Sequence, residues 1–227
     1  MTETLSLAII LIPCLVVAIV FHEVAHGWTA LLLGDPTAKE RQRLSLNPIR
    51  HIDPVGTLLI PGIMALAKGP IFGWARPVPV NKHRLKNPRF GMMAVAAAGP
   101  ATNFVLATAG AVLLGLLARG LDAPPVGGLA MLMAGLDYFI IINIFLAFFN
   151  LLPIPPFDGS HIVEGLLPPS LARSYAKLRP AGMILLFGLI ALSWFAPGLG
   201  IIENVVQPPV AWLREQFIVI VRAIALS

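Results

Sequence analysis

The chain has 227 residues, 57% of them hydrophobic and 12% charged, and its mean hydropathy is +0.85. A soluble domain carries about 25% charged residues, so the composition excludes one and describes an all-α integral membrane protein, a single membrane-embedded domain over residues 1–227. The net charge of +5 then reads as Lys and Arg gathered on cytoplasmic loops rather than as a nucleic-acid surface.

The first element is apolar from Leu5 to Leu33. Its 29 residues would extend roughly 43 Å as a helix, enough to cross a bilayer with tilt. Acidic Glu3 and the lack of a small-residue cleavage site argue against a cleavable signal. Cys14 lies within this run without a second cysteine to pair with. Further spans are expected at Phe90–Leu117, Leu129–Leu152 and Ala181–Phe195, with a weaker candidate at Ile201–Leu226 that is broken by Pro208 and Pro209 and either spans or lies in the interface as an amphipathic helix. Four to five transmembrane helices follow. No internal repeat is present.

The stretch Val55–Trp74 is apolar but holds Gly or Pro at six of its twenty positions, together with Lys68. The loop before it carries Lys39, Arg41, Arg43 and Arg50, and the loop after it Arg76, Lys82, Arg84, Lys86 and Arg89. If the stretch crossed, one basic loop would lie outside, against the positive-inside tendency. It is therefore expected to be re-entrant or strand-like and to line protein or a water-filled cavity, where irregular backbone is tolerated. Loop 34–89 is then cytoplasmic.

Inside the first span stands FHEVAHGW, residues 21–28. Ionisable side chains are costly at membrane depth and mark functional sites there. His22 and His26 are four apart, so both imidazoles lie on one helix face, and Glu23 is about 100° round from His22. His-Glu-x-x-His is the arrangement of zinc hydrolases, with two imidazole ligands and a carboxylate near the metal-bound water. A catalytic zinc takes three protein ligands. Thr29 and Leu32 exclude a third histidine further along this helix, which leaves Asp53, His51, Glu164, His161 and Asp158. NLLPIPPFDGSH, residues 150–161, favours Asp158 at a proline-stiffened helix end on the same side as the histidines; an ordinary helix N-cap is the competing reading.

These residues resemble the site-2 protease family of intramembrane zinc metalloproteases. The resemblance rests on FHEVAHGWTA, LSLNPIRHIDPVGTLLIP, GWARPVPVN, AAGPATNF and NLLPIPPFDGSHI, in that order over about residues 15–165. It implies one Zn2+ held by His22, His26 and Asp158, Glu23 as catalytic base, and Asn103 as a polar residue facing the active site. It also implies a catalytic core over about residues 5–165 and a transmembrane protein substrate in the lipid bilayer, while the charge pattern of the loops places the active site toward the cytoplasmic side of the cell membrane. Where the family has Leu-Asp-Gly-Gly, this chain has Phe157-Asp158-Gly159-Ser160, which changes the local turn. No inserted PDZ or nucleotide-sensing domain is expected, and the sequence leaves the oligomeric state open.

Other polar residues carry competing roles. His51 and Asp53 read as loop caps or partners of the site, Asn150 as structural, His161 as facing the cytoplasm, and Asp137 as an in-span acid of functional interest. The same ligands could serve a divalent-metal transporter or a non-catalytic membrane adaptor. The unrepeated His motif weighs against the first, the presence of Glu23 against both.

Overall fold

A computed structural model describes residues 3–66, 73–200 and 202–227. Nine α-helices are found among the described residues: α1 (Glu3–Leu32), α2 (Thr37–Glu40), α3 (Ile60–Leu66), α4 (Pro88–Ala118), α5 (Gly127–Asn150), α6 (Asp158–Leu166), α7 (Pro169–Ala176), α8 (Arg179–Phe195) and α9 (Gln207–Ala225). No strand occurs among them.

Three helices, α1, α4 and α5, are long and apolar enough to cross a membrane. A fourth span results if α7 and the Arg179–Ser193 part of α8, bent by 48°, act together. The weaker candidate is α9, which carries Arg214, Glu215 and Arg222 and is not among the helices long and apolar enough to span. It packs on α4 and α5 instead, where Phe217 and Val221 join Ala107, Ala111, Ile140 and Ile144 in a buried core. Ile201, the first residue of that candidate, lies outside the described residues.

Helix α4 sits at the centre, against α1, α5, α6 and α9. It starts sharply because the Asn87 side chain accepts a hydrogen bond from the Phe90 N–H and Pro88 occupies the first position, where a missing N–H costs nothing. The long loop between α1 and α4 is tied shut at its ends. The Lys86 N–H donates to Leu33 O (3.0 Å), and the Asn81 N–H donates to the buried Asp35 carboxylate (2.6 Å). The C-terminal end of α1 is thereby fixed beside the N-terminal end of α4.

Of the two readings for Val55–Trp74, the strand-like one is not what the described residues adopt. Pro54–Leu59 form a π-helix capped by Asp53, and α3 follows. Residues 67–72, with Lys68, Gly69 and Pro70, lie outside the described residues. The thirteen helical residues, 54–66, extend only about 20 Å, short of a hydrocarbon core of about 30 Å. The chain also comes back: the Trp74 N–H donates to Gly56 O (3.0 Å), and the Thr57 hydroxyl donates to Trp74 O (2.8 Å). The two flanks of the stretch are thus held side by side.

A candidate zinc centre between α1, α4 and α6

His22 and His26 are buried on the face of α1 that meets α4. Asp158 arrives from α6, which begins with it. The three side chains converge: His22 Nε2 to His26 Nε2 is 3.0 Å, His22 Nε2 to Asp158 Oδ2 is 3.1 Å, and His26 Nε2 to Asp158 Oδ2 is 3.3 Å. It is the only trio of His, Cys, Asp or Glu found among the described residues that could hold one metal ion.

The hydrogen bonds behind the trio determine what it offers. The amide of Asn103, fully buried, donates from Nδ2 to Asn143 Oδ1 (2.8 Å) and Ala18 O (3.3 Å), so its Oδ1 faces His22 Nδ1 at 2.6 Å and accepts from it. His26 Nδ1 lies 2.7 Å from Val95 O and donates to that carbonyl. Each ring nitrogen on the outer side therefore carries the proton, and each Nε2 turns a lone pair inward. Two such lone pairs and a carboxylate oxygen, about 3 Å apart, repel one another unless a cation sits among them. Ligand bonds of about 2.0–2.1 Å at tetrahedral angles place ligand atoms about 3.3 Å apart. The residues present fit zinc in both chemistry and spacing.

Two glycines make this approach possible. A Cβ on Gly99 would lie 2.5 Å from His22 Cε1 and 2.6 Å from His26 Cε1, so only glycine lets α4 pass so close to the imidazoles. A Cβ on Gly159 would lie 2.3 Å from Leu151 O, so the turn from α5 into α6 also needs glycine. Ser160, where the family pattern has a second glycine, is buried, and its hydroxyl donates to Phe157 O (2.7 Å), which absorbs the departure within the same turn. Asp158 makes no cap bond, and the N-cap position belongs to Phe157. Its carboxylate is turned to the histidines.

Glu23 is half-buried, and its Oε2 accepts from the Val78 N–H at 2.7 Å. Residue 78 belongs to segment 73–81, which forms neither helix nor strand. Buried Arg43 holds that segment, donating from Nη2 to Arg76 O (2.5 Å), while the Arg76 N–H donates to His51 O (2.9 Å). The site is not sealed, since the Asp158 side chain keeps 20% of its exposure.

The remaining candidates stand elsewhere. His51 is buried and bonds Ser45 O (2.7 Å), and Asp53 caps the Val55 and Gly56 N–H groups. Glu164 pairs with Arg179 (2.5 Å), with His161 Nδ1 3.7 Å from the same carboxylate. Asn150 bonds Leu146 O within its own helix. Asp137 is an ion-pair partner, with Arg214 Nη2 of α9 2.9 Å from both of its oxygens.

Sequence reasoning missed Asn143, Arg43 and the backbone groups at Val78 and Val95. Asn143 had a visible signal, a carboxamide in the middle of an apolar span. The backbone groups had none.

The profile of Peptidase family M50 matches residues 10–192. The chain is 44% identical over 185 residues to "Putative zinc metalloprotease YwhC" of Bacillus subtilis, covering 79% of each chain. It is 29% identical over 182 residues to "Putative zinc metalloprotease Rip2" of Mycolicibacterium smegmatis, covering 80% of this chain and 66% of that one. The match to the protein of the same name from Mycobacterium tuberculosis strain H37Rv is 30% over 173 residues, 76% of this chain and 63% of the other. No solved structure gives a match. The chain belongs to Peptidase family M50, the site-2 protease family of membrane zinc metalloproteases.

Proposed function

We propose that this protein is an intramembrane protease that hydrolyses peptide bonds within or beside the transmembrane segments of membrane-protein substrates, in regulated intramembrane proteolysis. His22, His26 and Asp158 are its zinc ligands, and Glu23 is its general base. One observation carries the reading: three inward lone pairs at zinc-ligand spacing, fixed in that tautomeric state by Asn103 and Val95 O.

Bound there, zinc supplies Lewis acidity that polarises a peptide carbonyl and makes water a nucleophile near neutral pH. Glu23 takes a proton from the attacking water and returns it to the departing amine. The Val78 N–H, through its bond to Oε2, restrains the Glu23 carboxylate against rotation. Asn103 keeps the His22 proton on Nδ1 throughout. A helical substrate must unwind locally before its peptide bond can enter, so Gly or Pro near the cleavage point favours turnover.

The nine Lys and Arg residues flanking Val55–Trp74 support a cytoplasmic orientation for this end of α1. The multi-pass protein then faces its active site toward the cytoplasm of the cell membrane.

Metal analysis of purified protein tests the ligand set. About one zinc per chain is expected in wild type and in Glu164→Ala, and close to none in His22→Ala/His26→Ala or Asp158→Ala. Full zinc in the double histidine variant would refute the assignment.

A further inference from the structure

A half-open cavity of about 540 Å³ lies between the loop that precedes α4, the first turn of α4, and helices α6 to α8. Three permanent cations line it: Lys82 from the loop, Arg89 from α4 and Arg179 from α8. One carboxylate, Glu164, lines it too and bonds Arg179 at 2.5 Å. Arg89 donates from Nε to Gly165 O at 2.9 Å and from Nη2 to Leu167 O, carbonyls at the C-terminal end of α6, and lies over the Phe90 ring, so it is held in place without a carboxylate partner. Lys82 is exposed, and among the described residues its ammonium has no hydrogen bond or ion pair, only its backbone carbonyl accepting from the Leu85 N–H (3.4 Å). Burial and the Arg179 charge lower His161 below the ordinary histidine range, so it adds little to the count. Three cations against one carboxylate leave two positive charges facing the cavity.

We propose that this cavity binds the phosphate-bearing headgroup of an anionic phospholipid. Its size falls in the range of small-ligand sites, about 300–1,000 Å³. Arg89 stands in the first turn of α4, the start of a helix long and apolar enough to cross a membrane, and basic side chains at such ends meet anionic headgroups. Val80, Met92 and Ala172 add apolar wall beside the charges, as a headgroup joined to acyl chains requires. An acidic peptide would match the charge alone. A membrane-protein segment emerging beside this chain's own basic loops carries Lys and Arg by the same rule, the wrong sign for this cavity. The site does not depend on the catalytic reading.

Native mass spectrometry of the full-length protein in detergent, equilibrated with equal amounts of phosphatidylglycerol and phosphatidylcholine, tests this. Wild type is expected to retain phosphatidylglycerol preferentially. Lys82→Glu should lower that retention by at least about five-fold, since one basic residue near lipid phosphate contributes about 1 kcal/mol. Lys82→Gln should lower it in the same direction by less. Lys86→Glu, an exposed loop cation outside the cavity, should leave it unchanged. Zinc content and gel-filtration profile should be the same in all variants. The proposal is overturned by no preference between the lipids, or by equal loss in the Lys82 and Lys86 variants, which would mean diffuse surface charge. Displacement of the lipid by millimolar inorganic phosphate would assign the cavity to a free anion, and displacement by a polyglutamate peptide would assign it to an acidic protein segment.

Discussion

His22 Nδ1 lies 2.6 Å from Asn103 Oδ1, and that contact decides which nitrogen of His22 is free for a metal. Asn103 can play this part because Asn143 and Ala18 O engage its Nδ2, which fixes the direction of the amide. A polar chain thus runs from α5 through α4 to the ligand on α1.

Breaking that chain should weaken metal binding without abolishing it. Asn103→Ala leaves His22 free to change tautomer and ring angle, and losses of about 10–100-fold in affinity are usual for partners of this kind. Competition with a chromogenic chelator measures the effect. Asn103→Asp, which keeps the acceptor toward His22 but turns a second oxygen on Ala18 O and Asn143 Oδ1, should also lose affinity. An unchanged affinity in Asn103→Ala would mean that the tautomer is set some other way.

Gly99 makes a sharper case, because its effect is steric. A methyl group there meets both imidazoles at 2.5–2.6 Å. Gly99→Ala should therefore expel zinc or reduce its affinity while costing about 1–3 kcal/mol of stability, the usual range for overpacking. Wild-type zinc content in this variant would show that α4 and α1 can separate at little cost.

Asp35 governs the loop that carries Val78. Its carboxylate accepts from the N–H groups of Thr37 and Asn81 and from the Thr37 hydroxyl. Burial opposes its ionisation, but these bonds prevail and lower it below the ordinary carboxylate range. A depressed carboxylate stabilises the fold above its unfolded value, near pH 4, and that contribution disappears as pH falls through the folded value. Thermal unfolding in detergent should show Asp35→Ala destabilised by about 1–3 kcal/mol at neutral pH, the cost of orphaned buried donors. The gap to wild type should narrow in acid. A gap that stays constant into acid would separate Asp35 from the loop's stability.

Much of this was legible in the chain itself. The three long spans were bounded within about two residues because unbroken apolar runs leave a helix no alternative in lipid. Spacing on one helix made the pairing of His22 and His26 legible, while the proline-stiffened turn left Asp158 open between ligand and N-cap, and it was the resemblance to the site-2 protease family that joined the three. The interior of Val55–Trp74 was not, since six Gly and Pro positions suit a strand, a loop or a broken helix equally, and a helix formed over 54–66. The partner of Asp137 also escaped, because Arg214 lies 77 residues away on a helix whose charges alone gave no facing direction. The hold on Glu23 comes from a backbone N–H, which every residue except proline possesses, so no side-chain pattern announces it.

The central claim is that zinc held by His22, His26 and Asp158 works with Glu23 as base to cut a peptide bond. Its most direct test pairs metal analysis with cleavage of a transmembrane substrate by the reconstituted protein, comparing wild type with Glu23→Gln. The variant keeps the shape of the side chain and removes its basicity. Zinc should remain at about one per chain while cleavage falls by at least about 10²-fold, and chelation should abolish wild-type cleavage. Undiminished cleavage in Glu23→Gln, or zinc flux into liposomes with no cleavage by wild type, would contradict it.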